Sequence, residues 1–297
     1  MNKIILFFSM ISSLSADAVM INEMLTQKHS LRLDTSIFYA NIQKQTNVIA
    51  PVIATASPTD SSSVYSIPAI LGVQQSNQDF LNFSLNLRYG ITKDIEIFAS
   101  PSFFYQHSNL SDSAFSGEDD YDFNNFNMGL LYQVKSEGKY PSLLIGTTPI
   151  VISKSILAAP ENPKYKLDYF KNYAFFATSY YTVDPVVFVL QGGFRLNLHR
   201  KIDDHTLDIG NLLNLSPMVY LALNPYTSIN FGINYQYKFK DRLDGIVIAH
   251  QGSSISYLFG ASYEVNPSLI VSVDINNLST NLYTSNSVNV LLSYKIR

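Results

Sequence analysis

The sequence predicts an all-β protein, a 12-stranded antiparallel transmembrane β-barrel with short periplasmic turns and longer extracellular loops. Three observations carry that expectation. Segments of about ten residues repeatedly interleave apolar and polar positions, as a wall must when successive side chains point alternately to lipid and to lumen. The links between these segments alternate between short, turn-rich stretches and longer polar ones. Tyrosines recur near one end of the alternating segments, where an interfacial belt belongs. The clearest segment is Ile229-Asn230-Phe231-Gly232-Ile233-Asn234-Tyr235-Gln236-Tyr237-Lys238-Phe239, with one face apolar and the other polar or Gly. No period of 3.6 sorts these residues so cleanly.

Composition agrees. Of 297 residues only 14% are charged, while Tyr and Phe raise the aromatic share to 13% without any Trp. Mean hydropathy is +0.06. That balance suits a surface that meets something other than water, yet after residue 18 no apolar run is long enough to cross hydrocarbon as a helix. A net charge of −3 gives no case for nucleic acid, and the absence of Cys removes disulfides, thiolate chemistry and a lipidated N-terminal Cys.

Along the chain, Met1-Asn2-Lys3, the apolar stretch Ile4 to Ile11 and the small residues ending in Ala16-Asp17-Ala18 make a secretory signal peptide over 1–18, excluded from the fold. Residues 19–29 follow as a periplasmic N-terminal segment, in which Ile21 to Gln27 suits a short helix capping the pore or a disordered terminus. The barrel is assigned to 30–297, exported to a Gram-negative outer membrane. Its strands are expected at about 30–42, 81–89, 95–106, 123–134, 142–151, 171–182, 186–198, 211–223, 229–239, 255–263, 269–276 and 288–296. Periplasmic turns are placed at Thr92-Lys93-Asp94, Ser136 to Pro141, Asp184-Pro185, Asn224-Pro225-Tyr226 and Asn266-Pro267-Ser268, where Pro, Asn, Asp and Gly favour tight reversals. Longer loops are placed at about 43–78, 107–122, 152–170, 199–210, 240–253 and 277–287. Tyr89, Tyr132, Tyr181, Tyr263 and Tyr294 all precede a turn or the C-terminus and mark one membrane face. A soluble sandwich or lipocalin-like barrel would also alternate. It is disfavoured because the apolar faces carry so little charge and the polar faces are rich in Asn, Ser and Gly instead of Lys and Glu.

Three hairpins carry a resemblance. Leu87-Arg88-Tyr89-Gly90-Ile91-Thr92-Lys93-Asp94-Ile95-Glu96-Ile97, Tyr181-Thr182-Val183-Asp184-Pro185-Val186-Val187-Phe188 and Tyr220 to Ile229 resemble the hairpins of outer-membrane proteins associated with the meta-pathway of phenol degradation. The resemblance spans about 80–296 and implies a barrel that passes small, often hydrophobic or aromatic compounds. It supplies no catalytic residues. The chain departs from common barrel habit by ending in Lys295-Ile296-Arg297 instead of an aromatic residue, which bears on its recognition by the barrel-insertion machinery.

By strand phase the lumen carries Arg32, Asp34, Arg88, Glu96, Arg195, Lys238, Glu264, Asp274 and Lys295, a mixture able to select solutes by charge. Arg88 and Glu96 flank one turn and are expected to pair; Arg195 with Lys238 is the stronger selectivity candidate. No cofactor and no metal site are expected. The acidic run Glu118-Asp119-Asp120-Tyr121-Asp122 matches no EF-hand spacing and reads as a solvated loop. His29, His107, His199, His205 and His250 lack a strand-borne Ser partner at a recognisable spacing, so no enzyme is expected. The first long loop contains the apolar stretches Val48 to Ala54 and Ile67 to Leu71, suited to a plug or a greasy approach for cargo, and equally to packing over the rim or contact with lipopolysaccharide. The expected partners are therefore outer-membrane lipids and lipopolysaccharide, a small-molecule solute and the insertion machinery. Channel is the expected function; a lipid-modifying barrel enzyme and a non-transporting structural or adhesive barrel are the alternatives.

Overall fold

The computed structural model describes residues 24–44, 52–54, 64–66, 69–70, 76–110, 118–158, 164–202, 204–280 and 283–296. The signal peptide assigned to 1–18 and most of the first long loop lie outside them. Twelve long strands form the wall: β1 (Leu31–Lys44), β2 (Ser76–Gly90), β3 (Ile95–Leu110), β4 (Glu118–Lys135), β5 (Leu143–Ala158), β6 (Asn172–Val183), β7 (Val186–Asn197), β8 (Leu212–Asn224), β9 (Thr227–Lys238), β10 (Gly252–Asn266), β11 (Leu269–Ser279) and β12 (Tyr283–Ile296). Each pairs antiparallel with its neighbours in sequence. β1 also pairs with β12, from Leu31–Ile296 to Lys44–Tyr283, so the ring is closed and no edge is left.

The shortest ladder is β5–β6, where Leu144 to Thr148 faces Thr178 to Ala174. Beyond it β5 continues against a short strand, Lys164–Tyr169, and Phe170 at φ 57° marks the irregularity that joins that strand to β6.

The turns show why their residues were chosen. Thr92 Oγ1 accepts from the backbone N–H of Asp94 (3.1 Å) and Ile95 (3.0 Å). Asn224 and Asn266 each accept from the N–H two residues on, at 2.9 Å, across the intervening Pro. A side-chain carbonyl thus replaces the backbone acceptor that a two-residue reversal leaves unused.

On β9, Ser228, Asn230, Asn234 and Gln236 point inward and are buried, whereas Phe231, Ile233 and Tyr235 point outward and are exposed. The same inversion runs round the ring through Ile37, Phe83, Leu130, Phe175, Leu190, Leu213, Phe259, Ile275 and Leu292. A continuous apolar exterior over a polar interior is costly in water and stable in hydrocarbon. The soluble-barrel alternative is thereby set aside. Strands of 11 to 18 residues match or exceed the ~9–11 needed to cross a bilayer, so the longer ones rise beyond it. Tyr89, Tyr132, Tyr263 and Tyr294 stand opposite Leu31, Ile95, Thr227 and Leu269, the first residues of four strands, so the belt follows one rim.

Two expected loops are shorter than their polar composition suggests. The acidic run at 118–122 belongs to β4 and pairs with β3, and the expected loop 277–287 shrinks to the link 280–282, closed by Thr280 N–H to Tyr283 O (2.9 Å). Ser, Asn and Thr occupy both faces there, so the alternation loses contrast while the ladder persists. Loops 199–210 and 240–253 fold together as a four-stranded sheet, Arg200–Ile202, His205–Asp208, Asp241–Leu243 and Ile246–Ala249, over buried Ile202 and Leu207. Asp244-Gly245, with φ of 51° and 82°, makes its tight reversal.

Candidate functional site

The turn end of the lumen is occupied by the chain itself. Residues 24–30 precede β1 and run into the barrel in a non-helical path, so the described part of the N-terminal segment is not the helix considered from sequence. Met24 and Thr26 are buried, and Met24 joins an apolar cluster of inward residues from six strands: Leu144, Val187, Val189, Met218, Tyr220, Leu258, Ile270 and Leu291. Leu25 packs against that cluster and against Phe98, Leu131 and Phe176.

A buried ionic network holds the segment. Arg88 Nε meets Glu96 Oε1 at 2.6 Å and Nη2 meets Glu96 Oε2 at 3.1 Å, a bidentate pair. Arg88 Nη1 reaches Asp34 Oδ2 at 3.3 Å, and Nη2 donates to Met24 O at 2.5 Å. Glu96 Oε2 accepts the N–H of Thr26 at 2.6 Å. Arg32 Nε contacts Asp34 Oδ1 at 2.8 Å and Ser293 Oγ, across the β1–β12 seam, at 2.6 Å. Two guanidinium groups thus balance two carboxylates, as charges withdrawn from water must. Gly90 makes room: an added Cβ would lie 2.2 Å from Gln27 O and 2.5 Å from Thr26 O, while Gly90 O accepts from His29 N–H at 2.7 Å.

The lumen also carries apolar surface that strand phase did not anticipate. Toward the loop end, Phe38, Ala40, Ile42, Phe80, Phe104, Leu278 and Tyr283 form an inward cluster. Phe80 stacks on Phe104 (6.1 Å, 18°) and meets Phe38 edge-on (6.4 Å, 64°). The signal was present wherever alternation fails: Ile37-Phe38-Tyr39-Ala40, Phe103-Phe104-Tyr105 and Val186 to Leu190 are apolar on both faces.

The nine inward charged residues do not converge on one site. Arg32, Asp34, Arg88 and Glu96 form the network above. Lys238 Nζ pairs with buried Asp241 Oδ2 at 2.6 Å, and Asp241 Oδ1 also takes Gly210 N–H at 2.8 Å, which ties the rim to the loop sheet. Lys238 therefore spends its charge on the fold, whereas Arg195 lies inward and half-buried on β7. Glu264 and Lys295 are half-buried near the turn end. Asp274 stands mid-strand on β11 and accepts from Asn230 Nδ2 at 3.1 Å.

Four of the five histidines take a Tyr or Asp partner: His29 with Tyr89 (3.3 Å), His107 with Asp119 (2.7 Å), His205 with Asp244 (2.7 Å), and His199 with Asp208. The acidic run is similarly engaged, Asp119 with His107 and Tyr105 and Asp122 with Lys154.

No family model matches the chain. No curated protein matches it either. Solved structures do. An outer membrane channel from Pseudomonas putida F1 aligns with a TM-score of 0.64 at 10% identity, covering 92% of this chain and 98% of that one. The transport unit of the autotransporter AIDA-I from Escherichia coli gives 0.55 at 10% identity over 93% and 92%. The monoaromatic hydrocarbon channel CymD gives 0.51 at 10% identity over 91% and 89%. At such identity the likeness is one of fold.

Proposed function

We propose that this chain is an outer-membrane channel for the passive uptake of small, apolar or aromatic molecules, closed at its periplasmic end by residues 24–30. The carrying observation is the inward aromatic cluster Phe38–Phe80–Phe104 above a plug of the chain's own N-terminal segment. A purely aqueous pore gains nothing from placing Phe in its lumen, whereas an apolar solute finds there a surface that removes it from water. Two of the matched folds are described as a channel and as a monoaromatic hydrocarbon channel, which supports the reading. So does the resemblance of the hairpins to outer-membrane proteins of phenol degradation. Outer-membrane lipids and lipopolysaccharide surround the wall in this reading, and the insertion machinery delivers it there.

Conductance in planar bilayers tests it. The refolded protein is expected to conduct weakly, to conduct more when Gly90→Ala pushes residues 26–27 off β2, and to be blocked by added toluene. The buried network also favours a second reading, a sealed structural barrel. If the wild type and the Gly90→Ala variant both fold and both stay silent, that second reading replaces the first.

A further inference from the structure

The lumen's charges are mostly neutralised close by: Arg32 and Arg88 by Asp34 and Glu96, Lys238 by Asp241. Asp274 differs. Among the described residues no cation stands within ion-pair distance of it, and its one recorded hydrogen bond is the 3.1 Å contact from Asn230 Nδ2. It lies midway along β11, at the depth where a charged group is most costly to keep, and the residue keeps partial exposure.

The contact with Asn230 is built by the wall. Asn230, Gly260 and Asp274 lie opposite one another on β9, β10 and β11. A Cβ at Gly260 would sit 2.1 Å from Asp274 Oδ1 and 2.6 Å from Asn230 Oδ1, so the carboxylate and the amide meet only because glycine occupies the strand between them. On the next strand round, Asn289 faces Asp274 but spends its Oδ1 on the hydroxyl of Ser36 (2.6 Å). This acceptor separates two apolar surfaces. Ile270 and Leu291 belong to the cluster toward the turn end, Phe38 and Leu278 to the one toward the loop end.

We infer that Asp274 and Asn230 are the polar end of a solute site. The class it takes is a small, mostly apolar molecule carrying one hydrogen-bond donor, an ammonium or a hydroxyl, in preference to a carboxylate. A donor gains a charge-assisted hydrogen bond from Asp274 while its apolar body lies on the flanking patches. A carboxylate meets a like charge in a weakly screened interior. The inference rests on the channel reading for the route by which the solute arrives.

Three probes of one shape separate the possibilities: benzylamine, benzyl alcohol and benzoate. Their binding to the refolded full chain is measured by isothermal titration, and their flux into proteoliposomes in parallel, for the wild type, Asp274→Asn and Gly260→Ala, with heat-modifiable gel mobility as the check on folding. Benzylamine and benzyl alcohol are expected to bind the wild type about tenfold or more tightly than benzoate. Asp274→Asn should erase the preference for the amine, and Gly260→Ala should weaken it by driving the two polar groups apart. Equal binding of all three probes by the wild type, or an unchanged order in Asp274→Asn, overturns the site. Binding of benzylamine that depends on Asp274 but is accompanied by no flux overturns the channel reading and leaves the site standing. Neither binding nor flux overturns both.

Discussion

Arg88 makes four hydrogen bonds to three partners; Asp34 is also held by Arg32 at 2.8 Å, whereas among the described residues Arg88 is the one cation paired with Glu96. Replacing it by Met leaves Glu96 and Asp34 buried without their common cation, a loss of about 3–5 kcal/mol. Urea titration of Arg88→Met in lipid vesicles should show that loss together with protease access to residues 24–30. Gly90→Ala should behave differently. The barrel ladder survives, so the unfolding midpoint changes little while the N-terminal segment becomes cleavable. The Arg88–Glu96 pair was legible because the two side chains flank one tight turn on the same face. Met24 O as a third partner was not. Nothing in a periodic pattern says that the stretch before the first strand turns inward, and only the presence of glycine at 90, inside an otherwise filled strand end, hinted that another backbone comes close.

Elements differ in what holds them. At the Asn266-Pro267-Ser268 turn, Asn266→Ala removes the acceptor of Ser268 N–H, a cost of about 1 kcal/mol that a urea midpoint detects. In the loop sheet, the hydrogen bond from His205 first, and then that from the Thr206 N–H, hold the Asp244 carboxyl below the usual carboxylate range. Because the folded value is the lower one, this contribution is complete above the unfolded value of roughly 4 and disappears as pH falls through the lowered value. Protection of the Thr206 amide, taken against its intrinsic exchange rate at each pH, should therefore fall on acidification in the wild type and show no such step in Asp244→Asn. The twelve strands were legible in sequence since period 2 over eight or more residues has few physical origins. Pairing between loops 199–210 and 240–253 was not. Its strands are three or four residues long, too short for a period to show, and they depend on contacts between segments about forty residues apart.

For the molecule as a whole, the exterior decides the solvent. Phe259 faces outward near mid-strand and is 54% exposed. Phe259→Arg should cost about 2–4 kcal/mol in phospholipid vesicles, read from urea titration, whereas a barrel living in water would tolerate or welcome the change. The lipid face was readable because it is uniformly apolar. The lumen was read only in part, since its apolar patches lie exactly where both faces are apolar and the alternation carries no sign. One feature of the ring bears on its assembly: Arg32 belongs to the first strand, Ser293 to the last, and their 2.6 Å contact spans the seam. The ionic network is thus complete only after the two ends of the chain have met. The wall's hydrogen bonds to residues 24–30 come from β2 and β3, so a barrel still open at its seam already holds its plug, and closing the cylinder, a contact of very high sequence separation, adds the clasp between the two ends.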